Sequence, residues 1–238
     1  MSSDAVHKRF SESAGRLAEL EERRREDLRE RIGRFVAPTG EERVLDSGTG
    51  TGALAFAISP LVREVVGVDI VPEMLDEARK RRGEFPNVRF VEGDLTKLPP
   101  DLGAFDLTAI SRTLHHVARP ELALAELTRA TMPGGRMLVV DSIAPIDPLA
   151  ALELNRFERA RDPSHSRTLA DADLRGMFEA NGLVLLRSEV EREQENVDEY
   201  LDRAGCVGEA REEALAVAPA RGSYVKEVGW YLLRKPGF

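Results

Sequence analysis

The stretch "RVLDSGTGTGALAFAI", residues 43–58, decides the fold: a short apolar run enters three glycines at alternate positions, Gly48, Gly50 and Gly52, and leaves as a helix. Glycine adopts positive φ without steric cost and lets a ligand approach the backbone closely. The same strand-then-helix beat continues outward. "EVVGVDI" (64–70) reads as a strand, and "PEMLDEARKRR" (72–82) as a helix with Pro72 at a favourable first position. "NVRFVEG" (87–93) and "FDLTAI" (105–110) are strands, "PELALAELTRATM" (120–132) is a helix, and "GGRMLVVDSI" (134–143) is a fifth strand. Alternation of this kind specifies parallel βαβ units, hence an α/β fold with a doubly wound, Rossmann-like sheet.

Beyond Asp141 the beat changes. Residues 148–161 read as helical, "RDPSHSRT" as a polar loop, and "LADADLRGMFEANG" (169–182) as a helix that stops at Gly182. "LVLLRSEVE" (183–191) is a sixth strand, 196–220 are helical, and "SYVKEVGWYLLRK" (223–235) is a last strand. Residues 4–35 also read as one helical stretch, with Leu17, Leu20, Leu28, Ile32 and Phe35 near one face, before Pro38 and Gly40 break it. The expected organisation is an N-terminal helical lid (1–40) followed by a Rossmann-like domain (41–238). That domain carries helical insertions at about 142–170 and 196–220.

Composition narrows the function classes. The chain has 238 residues, 42% hydrophobic and 32% charged, with a net charge of −8. That balance disfavours adhesion to nucleic acid or to an anionic membrane, which call for clustered Lys and Arg. Cys206 is the single cysteine, so neither an internal disulfide nor a CxxC metal site is possible. No apolar run has the length of a membrane span, and a cytoplasmic location is the default expectation.

The glycine turn gains meaning from two strand-end acids. Asp69 closes the second strand and can accept hydrogen bonds from both hydroxyls of a ribose. Asp94 follows the third strand and can accept from an exocyclic amine. The dinucleotide fingerprint is G-x-G-x-x-G, which faces a pyrophosphate. Here the third glycine comes one residue early, and Asp46 stands two residues before the first. An aspartate there repels a pyrophosphate and suits an ammonium. Ribose, adenine amine and amino acid together describe S-adenosylmethionine.

On these residues the chain resembles the class I S-adenosylmethionine-dependent methyltransferases, in the small-molecule branch that includes quinone-biosynthesis enzymes. The resemblance runs through "VLDSGTGTG", "GVDIVPEML", "VEGDLTKLP", "FDLTAISRTLHHVARP" and "LTRATMPGGRMLVVD", about residues 43–141, and more weakly through "RDPSHSRTLADADLRGMFEANGL". It implies a seven-stranded sheet in the order 3-2-1-4-5-7-6, the last strand antiparallel. It also implies a cofactor set in which Gly48, Gly50 and Gly52 line the methionine portion and Asp46 lies near its amino group. Asp69 would hold the ribose, Ile70 and Met74 flank the adenine, Asp94 with Leu95 cap its far edge, and Ser111 lie beside the methionine end. Ser47 and Gly93 complete the implied cofactor set; Ser47 departs from the apolar residue often found there. The N-terminal segment and the two insertions are expected to roof the cofactor, because methyl transfer benefits from excluding water.

A sulfonium methyl is already electrophilic, so a base is needed only where the acceptor must lose a proton. The candidates are His116, with His115 as second choice, in "RTLHHVARP", and His165 in "DPSHSR". Of the adjacent pair, only one side chain is expected to face the pocket, and the resemblance points to His116. No acid accompanies the pair in its own segment, so no metal is expected. The expected partner is a small-molecule methyl acceptor, O-, C- or N-nucleophilic, with the protein a monomer or homodimer and neither nucleic acid nor membrane involved. Three other readings compete: a non-catalytic S-adenosylmethionine-binding regulatory module, a methyltransferase acting on a macromolecule, and a nicotinamide oxidoreductase.

Overall fold

The computed structural model describes residues 3–11 and 13–237, with side chains from Val6 onward. Its strands are β1 (Arg43–Ser47), β2 (Glu64–Asp69), β3 (Val88–Glu92), β4 (Phe105–Ser111), β5 (Thr131–Ala144), β6 (Leu169–Ala170), β7 (Val184–Asn196) and β8 (Ser223–Arg234). They form one sheet in the order β3-β2-β1-β4-β5-β8-β7, with the two-residue β6 paired beside β5. β8 runs antiparallel to both β5 and β7. Leaving β6 aside, this is the expected seven-strand order.

Helices cover both faces, which is why the central strands read as nearly unbroken apolar runs. Alternate residues go to opposite sides: Val44, Leu107, Leu138 and Val140 join one core cluster, and Leu45, Ile110, Met137 and Val139 the other. The first cluster takes in α2 (Ala14–Val36) and α3 (Ala53–Ile58). The second takes in α5 (Pro120–Ala130) and α7 (Asp171–Ala180). α4 (Pro72–Arg81) follows β2 and contributes Ala78 to the first cluster. No helix among the described residues is long and apolar enough to cross a membrane.

Three elements differ from the sequence reading. The single N-terminal helix is two: α1 (Ser3–Ser11) and α2, separated at a turn where Ser13 N–H donates to the Phe10 carbonyl. The C-terminal half of α2 belongs to the core, with Ile32, Phe35 and Val36 buried against the sheet and Trp230 stacked edge-on to Phe35. β7 runs five residues past the expected end, through the charged sequence "REQEN", because β8 pairs with it over its whole length.

Two small apolar clusters lie apart from the main cores. Val6, Phe10, Ala14 and Leu17 pack over Ile70, Val71 and Met74. Phe157 of α6 (Pro148–Arg161) packs with α8 (Val197–Ala204) and with Ala214 of α9 (Gly208–Ala216). Both stand near the carboxyl ends of the strands. If the second half of α2 is structural, Ile32→Ala should lower the unfolding free energy by about 2–5 kcal/mol. Urea denaturation checks this, and a loss near zero would make the whole helix a loose cover.

Candidate active site

The glycine turn follows β1, and all three glycines have positive φ: 71° at Gly48, 54° at Gly50 and 90° at Gly52. A Cβ on Gly48 would stand 2.4 Å from Thr113 Cγ2, and one on Gly50 would stand 3.2 Å from Met74 Cε. Carboxylates pin the turn from two sides. Asp69 Oδ2 accepts from Gly50 N–H at 2.7 Å while its Oδ1 accepts from Val71 N–H at 2.9 Å. Asp46 Oδ2 accepts from Thr49 Oγ1 at 2.6 Å and from Ala55 N–H at 3.1 Å, where α3 begins. Burial raises both acids, Asp46 to about 7.

Over this turn lies a cavity of about 1320 Å³, beyond the roughly 300–1,000 Å³ of an ordinary small-ligand site. It has room for two molecules side by side. Of the expected cofactor residues, Asp46, Gly48, Gly50, Asp69, Ile70, Met74, Asp94, Leu95 and Ser111 border it. Ser47, Gly52 and Gly93 do not. Ser47 is buried with an unpartnered hydroxyl, Gly52 starts α3, and Gly93 donates its N–H to the Asp69 carbonyl. Asp94 holds its own turn, its Oδ1 accepting from Thr96 N–H and Oγ1 at 2.8 and 2.7 Å. Val6, Phe10, Leu17 and Glu21 of the N-terminal helices close the cavity above Ile70 and Met74, and Glu21 also bonds to Thr51 in the glycine turn.

Both adjacent histidines border the cavity, contrary to the expectation that only one would. They sit on a short 3₁₀ turn after β4, with ring centroids 4.2 Å apart. His115 Nδ1 pairs with Asp141 Oδ1 at 2.5 Å, and the His115 backbone N–H also donates to the Asp141 carboxylate. Burial works to raise the Asp141 carboxyl, but His115 and the Ser142 N–H hold it below its ordinary value. His116 Nδ1–H donates to the Ser164 carbonyl at 3.1 Å, and its ring meets Phe10 edge-on. Burial, aided by the neighbouring His115, drives His116 down to about 3. His165 does not border the cavity. Its Nε2–H donates to Asn155 Oδ1 at 3.2 Å, its Nδ1 is buried without a partner, and burial lowers it to about 4. Among the described residues no group of three His, Cys, Asp or Glu side chains is arranged to hold a metal.

The sequence reading passed over two residues. Asp141 ends the central run of β5, and an acid at a strand's carboxyl end is the signal that singled out Asp69. Arg112, directly after β4, has φ 52°, a backbone state costly for a residue with a side chain and typical of functional sites. It forks onto both carboxylate oxygens of Glu193 on β7.

Comparison with known proteins agrees with this geometry. Residues 45–139 match the family described as "Methyltransferase domain". Those residues carry a methyltransferase domain. The uncharacterized methyltransferase YcgJ of Bacillus subtilis is 39% identical over 145 residues, 60% of this chain and 57% of that protein. A demethylmenaquinone methyltransferase of Clavibacter sepedonicus is 37% identical over 131 residues, 55% of this chain and 54% of its own length. The matches thus span little more than half of each relative. The crystal structure of YcgJ superposes with a TM-score of 0.82 at 28% identity, covering 88% of this chain and 98% of that one. The cofactor of such a domain is S-adenosylmethionine, and the residues present fit it: a side chain on Gly50 would enter the cavity, and Asp69 meets the cavity with lone pairs beyond those the turn uses.

Burial of neutral His116 sets a pH dependence. Its folded pKa of about 3 lies below the unfolded value near 6.5, so in between the unfolded chain binds more protons and stability falls on acidification. The loss is at most about 1.4 kcal/mol per pH unit for this group. Wild-type protein should lose stability more steeply than His116→Asn between pH 6.5 and 4, read by denaturation at each pH. Parallel slopes would mean that His116 titrates normally in the folded protein.

Proposed function

We propose that the chain is an S-adenosylmethionine-dependent methyltransferase for a small-molecule acceptor, with cofactor and acceptor side by side in the one cavity. The observation that carries this reading is the cavity itself, whose floor is the glycine turn and the strand-end acids and whose volume exceeds that of one ligand. S-adenosylmethionine brings a methyl group already activated on its sulfonium. What remains for the chain is alignment, exclusion of water and, for a hydroxyl or acidic C–H acceptor, removal of a proton.

In this reading Gly48 and Gly50 run along the methionine portion, with Asp46 near its amino group and Ser111 beside it. Asp69 takes the ribose, Ile70 and Met74 flank the adenine, and Asp94 with Leu95 close its edge. Gly52, Ser47 and Gly93 act from behind, by shaping the turn and the third strand end. α1 and the first half of α2 serve as the lid, since the small cluster over Met74 opens at less cost than the main core.

His115 is better equipped as base than His116. Its Nδ1 proton is held by Asp141, which fixes the tautomer, leaves Nε2 as acceptor and stabilises the imidazolium once formed. His116, held neutral to about pH 3, is a weak base and serves better to pack Phe10 of the lid against the Ser164 loop. Asp141→Asn and His115→Ala should each lower kcat by roughly 10²–10⁴-fold with the S-adenosylmethionine Kd unchanged. The assay is release of S-adenosylhomocysteine over a panel of phenol, enol and amine acceptors. A steeper loss in His116→Ala than in His115→Ala would reverse the assignment.

A further inference from the structure

The cavity has a second end. Past the cofactor residues it continues between α2 and the extended β7–β8 ribbon, where Glu191, Glu193, Glu195 and Lys226 border it together with Arg24, Arg31, Arg112 and Tyr200. Glu193, Lys226 and their neighbours come from alternate positions of paired strands, so they share one face: Glu191 is opposite Val228, Glu193 opposite Lys226 and Glu195 opposite Tyr224. That face carries the carboxylates inward.

Each of these carboxylates is already taken. Glu191 pairs with Arg31 at 2.7 Å and accepts from Trp230 Nε1–H at 3.2 Å. Glu193 gives both oxygens to Arg112, and Glu195 pairs with Arg203. Glu158, behind them, pairs with Arg161 at 2.9 Å and accepts the Tyr200 hydroxyl proton at 3.0 Å. Lys226 is the exception. Directly opposite Glu193 in the ladder, it has no carboxylate within ion-pair distance among the described residues, and its ammonium donates only to the neutral Tyr200 hydroxyl, at 3.2 Å. Burial lowers Lys226; Glu158 opposes this, while Arg112 and Arg161 add to it. Arg112, Lys226 and Arg24 are thus gathered about the single carboxylate of Glu193, which they hold low although burial works to raise it.

Lys226 is half-buried and lines the cavity beside Arg112, with Glu158 and Glu193 favouring its charge from a distance but no carboxylate paired to it among the described residues, so an anion entering the cavity meets an ammonium free to pair with it. Lys226 lies on β8, three strands from the glycine turn, which at the usual strand spacing is roughly 14 Å across the sheet. We propose that this end of the cavity binds a carboxylate of the methyl acceptor on Lys226, in the field of Arg112. The acceptor is therefore a small carboxylic acid whose nucleophilic group lies toward His115, rather than a neutral quinone-type molecule.

This rests on the reading of the cavity as a methyltransferase site, and the experiment separates the two. Calorimetry first titrates the protein with S-adenosylhomocysteine; absence of binding overturns the methyltransferase reading itself. The saturated protein is then titrated with para-hydroxybenzoate, para-hydroxyphenylacetate and para-hydroxyphenylpropionate, each against its primary amide. At least one acid should bind roughly tenfold or more tighter than its amide. Lys226→Met should abolish that preference, and Lys226→Arg should keep it. If cofactor product binds but no acid outbinds its amide, or if the preference survives in Lys226→Met, the carboxylate assignment is wrong. The wild-type comparison of acid with amide stands whether or not the Met variant folds.

Discussion

The rest of the structure depends on one hydrogen bond, from Gly50 N–H to Asp69 Oδ2 at 2.7 Å. It ties the end of β2 to the turn after β1, and the N–H groups of Gly48 and Thr49 reinforce it by donating to the Val68 carbonyl. With Asp46 fastening the other side of the turn to the first residues of α3, a segment of three positive-φ glycines is held rigid. Rigidity there keeps the backbone close to the ligand without a side chain to fill the gap. The cost is two buried acids whose ionisation burial opposes. In the proposed reading, an ammonium arriving at Asp46 offsets part of that cost by favouring its charged form.

Around this fixed floor the chain divides into parts of unequal firmness. The two large apolar clusters on either face of the sheet make one body, and the second half of α2 belongs to it. The clusters over Met74 and around Phe157 and Tyr200 are small and rich in neighbouring charge. Elements held by few buried apolar contacts open first, and both of these stand over the cavity. The same division separates the parts of the cavity: the glycine turn and strand-end acids form its floor, the 3₁₀ turn after β4 brings the two histidines to its side, and the long β7–β8 ribbon borders its far end.

Much of this was legible in the sequence. Strands buried on both faces show as continuous apolar runs, so the parallel sheet could be read, while its strand order came only with the family resemblance; the glycine turn with Asp69 and Asp94 marked the floor of the cavity. Long-range effects could not be read. "REQEN" shows no apolar alternation, and its last residue reads as helical, yet it continues β7 through pairing with β8, some thirty residues on. Ile32 and Phe35 show the right spacing for burial, but only the sheet beside them tells core from lid. The partner of the first histidine could not be read either: Asp141, 26 residues away on β5, reaches His115 with its carboxylate and not His116. Adjacency in sequence says nothing about such a partner.

The central claim is that the strand-end carboxylate at 69 both fixes the glycine turn and receives the cofactor. Calorimetric titration of Asp69→Ala with S-adenosylmethionine tests it most directly, with circular dichroism to confirm that the variant is folded. Loss of charge-assisted bonds to the ribose, together with a loosened turn, predicts a Kd weakened roughly tenfold to hundredfold. A folded Asp69→Ala protein that binds S-adenosylmethionine with the wild-type Kd would contradict the account.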